Sequence, residues 1–209
     1  MCTLRPITSH AEILAYHRFR YEVYANSVQR GFLAGSEGFD SDEFDANALH
    51  LGWYEDGKLV GCVRLLSPIK GKDPLHLFKD LADGGQRQRA TELLLAAKRD
   101  GRAICEVSRL CLAPEKRSLA NSRRFVLAIM ATAHRYGRDN CLFTCDVAHA
   151  AFWQRMGFNT VEGFEGYDRA RSKRVGCLMR GTYSELLTRN RAELQELGWS
   201  MLAPLSIAA

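Results

Sequence analysis

The segment Gly38-Phe-Asp-Ser-Asp-Glu-Phe-Asp-Ala-Asn47 gathers Asp40, Asp42, Glu43 and Asp45 in a chain whose net charge is +5. Carboxylates at this density can chelate a cation, take a proton from an amine, or pair with arginine. The spacing at 40, 42 and 45 has some likeness to an EF-hand loop. Asp45, however, fills the sixth position, where that loop needs glycine, and Leu51 fills the twelfth, where it needs glutamate. Calcium is therefore set aside. Further along, Arg64 interrupts Gly61-Cys-Val-Arg-Leu-Leu66, and Glu106 and Arg109 interrupt the apolar run around Cys105 and Cys111. A charge among apolar neighbours is expensive unless paired. Glu106 thus needs a basic or N–H partner, and Arg64 needs a carboxylate, which Asp42 or Asp45 can supply in bidentate form. Regular strand alternation puts Glu106 and Ser108 on one face and Arg109 on the other. If all three serve one site, either a bulge intervenes or Arg109 braces the acidic loop. We favour the brace.

These groups need a scaffold to hold them. Ser9-His-Ala-Glu12 is a capping-box pattern that opens a helix to about Asn26, followed by a long polar loop over 27–47. Leu49–Tyr54 and Leu59–Leu66 read as strands joined by a tight turn at Asp56-Gly57. An amphipathic helix follows over 85–99, a strand over 103–112, a long helix over about 119–136 and a strand over 141–147. A helix over 148–156, short strands near 159–166 and 174–181 and a terminal helix near 183–197 complete the order. The pattern is that of a mixed α/β sheet with helices on both faces, and 209 residues are most simply one domain, 1–209.

Composition narrows the functional classes. At 46% hydrophobic and 25% charged, the chain reads as an ordinary globular protein. It holds no apolar run of about eighteen residues, so no membrane span is expected. The start, Met1-Cys-Thr-Leu-Arg-Pro6, lacks a signal-peptide core, which places the protein in the cytoplasm. Seven scattered cysteines without a C-x-x-C pair read as reduced, buried thiols, and the six histidines share no ligand spacing, so no metal is expected. His50 follows the acidic loop and reads first as a strand-edge histidine. No nucleic-acid-binding motif accompanies the basic residues, so nucleic acid is not the expected partner. An acidic protein is the better fit.

Four segments occur in a telling order: Arg20-Tyr-Glu-Val-Tyr24, the acids from Asp40 to Asp45, the strand with Arg64, and Glu106-Val-Ser-Arg109. Together they resemble the acyl-homoserine-lactone synthases and their relatives, the N-acyl amino acid synthases. Phe152-Trp-Gln-Arg-Met-Gly-Phe158 resembles the aromatic-x-x-x-Gly-Phe helix end of the wider GNAT acyltransferase superfamily. The resemblance implies a GNAT-like, mostly antiparallel central sheet flanked by helices. It also implies transfer of an acyl group from a thioester to an amine. Asp40 stands where the group carries glutamate, and Arg30-Gly-Phe-Leu33 where lactone synthases commonly have tryptophan. Those departures favour an amino acid acceptor over S-adenosylmethionine.

On this resemblance Glu106 is the first candidate for the base that takes the amine proton, and Asp40 the acid facing an amine or catalytic water. Arg20, Asp42, Asp45, Arg64, Ser108 and Arg109 are expected to bind substrate or order the loop. The turn 113–122, where the superfamily carries glycines for a diphosphate, has none. That favours a phosphopantetheine arm on acyl carrier protein as the co-substrate, docked by Lys116, Arg117, Arg123 and Arg124, with no permanently bound cofactor. Phe125, Ile129, Phe152 and Trp153 are the expected walls of an acyl pocket. A lactone synthase using S-adenosylmethionine and a non-catalytic acyl-binding protein are the alternatives.

Overall fold

In the computed structural model, residues 2–27 and 30–196 are described. The strands are β1 (Cys2–Pro6), β2 (Ala48–Glu55), β3 (Lys58–Leu66), β4 (Ile104–Leu112), β5 (Asn140–Asp146), β6 (Asn159–Thr160), β7 (Tyr167–Asp168) and β8 (Val175–Thr182). The helices are α1 (His10–Ala25), α2 (Gly84–Arg99), α3 (Leu119–Arg135), α4 (Ala150–Arg155), α5 (Tyr183–Arg189) and α6 (Arg191–Glu196). The strand order is β1-β2-β3-β4-β5-β8-β6, with β7 also on β8. β4 and β5 pair in parallel, whereas β1–β2, β2–β3, β5–β8, β6–β8 and β7–β8 are antiparallel. This is a mixed, mostly antiparallel α/β sheet, as the sequence pattern implied. By internal contacts the chain forms two compact units, one of residues 1–66 and 107–129 and the other of 67–106 and 130–209.

The first unit shows how strand alternation sorts functional from structural residues. Asp56 (φ +49°) and Gly57 (φ +80°) both adopt the left-handed conformation that a two-residue turn between β2 and β3 requires. The turn pairs Tyr54 with Leu59, and a bulge between Trp53 and Tyr54 then shifts the register by one residue, so that Leu51 pairs with Val63 and His50 with Arg64. His50, Cys62 and Arg64 consequently face α1. The ring of His50 lies 4.7 Å from Tyr16, and Cys62 packs with Tyr16, Val23, Tyr24 and Cys111. Trp53 and Gly61 take the other face, where Phe125 of α3 stacks on Trp53 at 4.7 Å. A Cβ at Gly61 would come within 2.9 Å of Leu112 and 3.4 Å of Phe125, so the close fit of α3 depends on glycine there. Covered on both faces, β3 is buried from Val60 to Leu66.

In the second unit the start of β4 runs parallel to β5, with Glu106 opposite Leu142, and β8 pairs antiparallel along all of β5. Its core holds Leu77, Phe78, Phe143, Phe158, Phe164, Leu178 and Met179. Two elements differ from the sequence reading. Strand β1 was not anticipated; its five residues end in Pro6, which an edge strand tolerates but which hides the pattern. The terminal helix is divided at Asn190, whose side chain donates to the Leu186 carbonyl at 2.7 Å. Residue 197, the expected end of that helix, lies outside the described residues, as do 28 and 29 of the long loop. Six cysteines are free and buried; the Cys2 side chain is not described.

Candidate active site

Helix α1 begins as its sequence requires, with the Ser9 hydroxyl accepting from the Glu12 N–H at 3.3 Å. Its i, i+4 spacing then turns Tyr16, Arg20 and Tyr24 inward. Arg20 is wholly enclosed and forks between two loop acids. Nε donates to Asp40 Oδ2 at 2.7 Å and Nη2 approaches the same oxygen at 2.6 Å. Nη1 donates to Asp45 Oδ1 at 2.7 Å. From β3, Arg64 Nη1 donates to Asp42 Oδ1 at 2.6 Å and to Asp45 Oδ1 at 2.9 Å, while its Nε donates to the Ser108 hydroxyl at 3.0 Å. From β4, Arg109 reaches Asp40 Oδ2 at 3.1 Å and Asp42 Oδ2 at 3.2 Å. Three arginines and three aspartates thus form a buried, charge-balanced cluster within the first unit. Their side chains are at most 7% exposed.

Arg64 finds both Asp42 and Asp45, as the sequence requires, but reaches them through Nη1 alone rather than as a bidentate pair. Arg109 does brace the loop, and the strand is irregular there as well. Its φ of +54° breaks the alternation, so that consecutive Ser108 and Arg109 both reach the cluster. A non-glycine residue in that region costs about 1 kcal/mol or more, and two ion pairs hold it.

Asp40 lies elsewhere than expected. Instead of facing an amine or a water, it is 0% exposed and joined at every polar atom. Oδ2 takes Arg20 and Arg109, Oδ1 accepts from the Ala34 N–H at 2.9 Å, its N–H donates to the His17 carbonyl at 3.2 Å, and its carbonyl accepts from His17 Nδ1 at 2.7 Å. Of the acids in this loop it is the one that reaches between Arg20 and Arg109, which fixes it as the hinge-pin of the loop on α1.

Two histidines that the sequence reading gave no such place complete the loop's attachment. His17 holds the Asp40 carbonyl, and His50 Nε2 donates to the Asp45 carbonyl at 3.0 Å. Each bond fixes which ring nitrogen carries the proton. Burial pushes the His50 imidazole down to about 4 and lowers His17 as well. For Asp45, burial pushes the carboxyl up, but the Arg20 and Arg64 guanidiniums overcome it and hold the group well below the usual carboxylate range. The helical spacing of Tyr16, His17 and Arg20 was the available signal for His17.

Glu106 belongs to the second unit, two residues before Ser108 along β4, and is 1% exposed. Its Oε2 accepts from the Leu77 backbone N–H at 3.2 Å, the N–H partner its burial demands. His76 Nδ1 stands 3.9 Å from Oε1. A buried carboxylate in such a setting can accept a proton.

The remaining expected site residues fall outside these two groups. Lys116 pairs with Glu55, and Arg117 donates to the Leu112 carbonyl at 3.1 Å, whereas Arg123 is half-buried and Arg124 exposed. Phe125 and Ile129 are buried in the first unit. Phe152 and Trp153 are half-buried in the second, where Trp153 meets the rings of Phe143 at 4.6 Å and Phe158 at 5.6 Å. A groove of about 480 Å³ in the second unit, walled by Pro68, Pro74, Leu94, Leu95 and Ile104, includes none of these four.

The family model of the N-acyl amino acid synthase FeeM matches residues 15–181, a span that holds the whole cluster and Glu106. The chain belongs to this family. It is an acyltransferase, and its GNAT-like fold recurs in solved structures. FeeM, an N-acyl amino acid synthase from uncultured soil microbes, superposes with a TM-score of 0.62 at 15% identity, over 90% of this chain and 94% of its own. BjaI, a coenzyme-A-dependent acyl-homoserine lactone synthase, gives a TM-score of 0.70 at 13% identity, over 100% of this chain and 95% of its own. The acyl-homoserine lactone synthase LasI gives 0.62 at 15% identity, over 88% and 90%. No curated protein matches the chain at a significant level.

Proposed function

We propose that this acyltransferase moves a fatty acyl group from an acyl carrier protein thioester to the α-amine of an amino acid, releasing an N-acyl amino acid and the carrier thiol. The observation that carries the reading is the buried Glu106 carboxylate, which accepts from the Leu77 N–H and stands in the segment Glu106-Val-Ser-Arg109 whose arginine is locked to the acidic loop. Glu106 takes the proton that the substrate ammonium must lose. The freed amine attacks the thioester carbonyl and the C–N bond forms; the C–S bond then breaks, the nitrogen gives its second proton to the departing thiolate, and the proton on Glu106 is released to water. Asp40, Asp42 and Asp45 act with Arg20, Arg64 and Arg109 as the brace that holds the loop. In this reading the chain works in the cytoplasm as one acyltransferase domain. The basic start of α3, with Arg123 and Arg124 beside Lys116 and Arg117, receives the acidic carrier. Phe125, Ile129, Phe152 and Trp153 contribute apolar surface for the acyl chain.

A second reading is an acyl-homoserine-lactone synthase using S-adenosylmethionine, for which the likeness to BjaI along the full chain is the supporting observation. BjaI is coenzyme-A-dependent, so a coenzyme A thioester is the alternative donor to test. The deciding experiment is mass spectrometry of the protein with acyl carrier protein or coenzyme A thioesters, all amino acids and S-adenosylmethionine. An acylated amino acid supports the proposal, and a lactone overturns it in favour of the second reading. With the substrates found, Glu106→Gln is expected to lower kcat by about 100-fold or more while the fold survives. A variant with wild-type turnover would remove Glu106 from the mechanism.

A further inference from the structure

Beside Glu106 lies a set of side chains that the reaction scheme above leaves without a task. His76 and Asp80 bracket the short turn His76–Lys79, and Arg171 comes from the segment after β7. Arg171 Nε and Nη2 both donate to Asp80 Oδ1, at 3.1 and 2.9 Å. The same Nη2 lies 3.2 Å from His76 Nε2. A guanidinium only donates, so Nε2 must offer its lone pair and the imidazole proton must sit on Nδ1. The two hydrogens of Nη2 thereby have separate acceptors, Asp80 and His76. Protonating Nε2 would break that bond and set an imidazolium against a guanidinium. The chain Asp80–Arg171–His76 consequently keeps His76 neutral, with Nδ1–H directed to the side on which Glu106 Oε1 stands at 3.9 Å.

We propose that His76 is a positioning residue for Glu106. Asp80 and Arg171 fix it as the Nδ1–H tautomer, which holds the carboxylate in line and favours its ionised form. The proposal rests on the reading of Glu106 as the base. A contraction of about 1 Å converts the 3.9 Å approach into a hydrogen bond, as active-site contacts that are loose without substrate commonly do. His76 is no proton acceptor on this side, because Nδ1 already carries hydrogen. The proton taken from the amine stays on Glu106 until it is released to water as the product departs. The groups that bear on this pair are Asp80 after the turn, Arg169 and Arg171 from the segment after β7, the Leu77 N–H, and the Thr144 hydroxyl of β5, which lies 3.5 Å from Asp80. Asp80 is buried and shared by two arginines, which leaves one positive charge in excess behind His76 and further opposes its protonation.

The test compares two substitutions that retain different nitrogens. His76→Asn keeps a donor near the Nδ1 position, and His76→Gln keeps one near Nε2. The full chain is labelled with ¹⁵N-histidine and with ¹³C at the glutamate carboxyl, and Glu106→Gln assigns the Glu106 signal. Long-range ¹H–¹⁵N correlation is expected to find His76 as the Nδ1–H tautomer in the wild type and to lose that preference in Arg171→Met. The Glu106 titration midpoint is expected to rise by about one pH unit in His76→Gln and to hold near the wild-type value in His76→Asn. An Nε2–H tautomer in the wild type, or one midpoint shared by all three proteins, overturns the proposal. These readouts need no substrate. Wild-type acyl transfer by Glu106→Gln, measured with hexadecanoyl acyl carrier protein and all twenty amino acids, would instead remove the base itself and leave the tautomer result standing as structure only.

Discussion

Replacing Arg20 with methionine removes the cation that Asp40 and Asp45 share and keeps most of the side-chain volume. The wild-type cluster balances three positive against three negative charges in an enclosure where Arg20 and Asp40 are 0% exposed. Without Arg20 the three acids are left with Arg64 and Arg109 only, so one buried negative charge has no counterpart. Breaking a buried pair in this way costs about 3–5 kcal/mol, against a usual total stability of about 5–15 kcal/mol. With a urea dependence of about 2 kcal/mol/M, the midpoint should fall by about 1.5–2.5 M at pH 7. The loss should shrink in acid. The folded Asp45 carboxyl lies well below its unfolded value, so its contribution is present above pH ~4 and disappears as pH falls below that. In Arg20→Met the carboxyl loses one of the cations that depress it and has less to give up. The gap from wild type at pH 3 should therefore be smaller than at pH 7. Adding Asp45→Asn restores the balance at two against two, so the double variant should be more stable than the summed single losses by about 1–3 kcal/mol. Urea titration followed by ellipticity, with coincident fluorescence as a two-state check, reads all of this. A loss under about 1 kcal/mol for Arg20→Met, or strict additivity with Asp45→Asn, would refute the charge-balance argument.

His50 supplies an independent acid-sensitive element. Burial sets its imidazole at about 4 in the fold, below the usual 6.5, so stability is complete above pH ~6.5 and declines by up to about 3 kcal/mol as pH falls through 4. His50→Gln, which keeps the donor to the Asp45 carbonyl, should flatten the stability profile between those limits; an unchanged slope would show that His50 protonates freely in the fold. For the donor, Arg124→Glu should raise KM for acyl carrier protein about three- to tenfold and leave a coenzyme A thioester unaffected. Equal KM changes for both donors, or none, would remove the start of α3 as the docking surface.

How much of this was legible in the sequence depends on whether a residue's requirement can be met locally. Asp56-Gly57 dictates its own turn, so the β2–β3 hairpin was readable, whereas the bulge between Trp53 and Tyr54 that sets His50 opposite Arg64 was not. A mid-strand arginine must find carboxylates, so the partners of Arg64 were readable although they lie 22 and 19 residues away. Which of the loop acids would be enclosed was not readable. Asp40 owes its position to Arg20 on one side and Arg109 on the other, and only the folded geometry brings both to one oxygen. The left-handed backbone at Arg109 is likewise dictated by its ion pairs and leaves no mark in residue type. His76 sits between two leucines with no ligand or capping spacing around it, so its approach to Glu106 became visible only through the turn that follows Pro74.

The division of the first unit into residues 1–66 and 107–129 has a consequence for synthesis on the ribosome. When the acidic loop emerges, Arg20 is already available and Arg64 follows within some twenty residues, but Arg109 is 67 residues beyond Asp42. Forty residues of the other unit must be made before β4 can arrive. During that interval the loop acids outnumber the arginines available to them. Closure of so long a loop is slow relative to local contacts. The moment at which β4 docks is thus the commitment step for the N-terminal half. Substitutions at Arg109 should show first as a poor yield of folded chain during translation, before any defect in the finished molecule is measured.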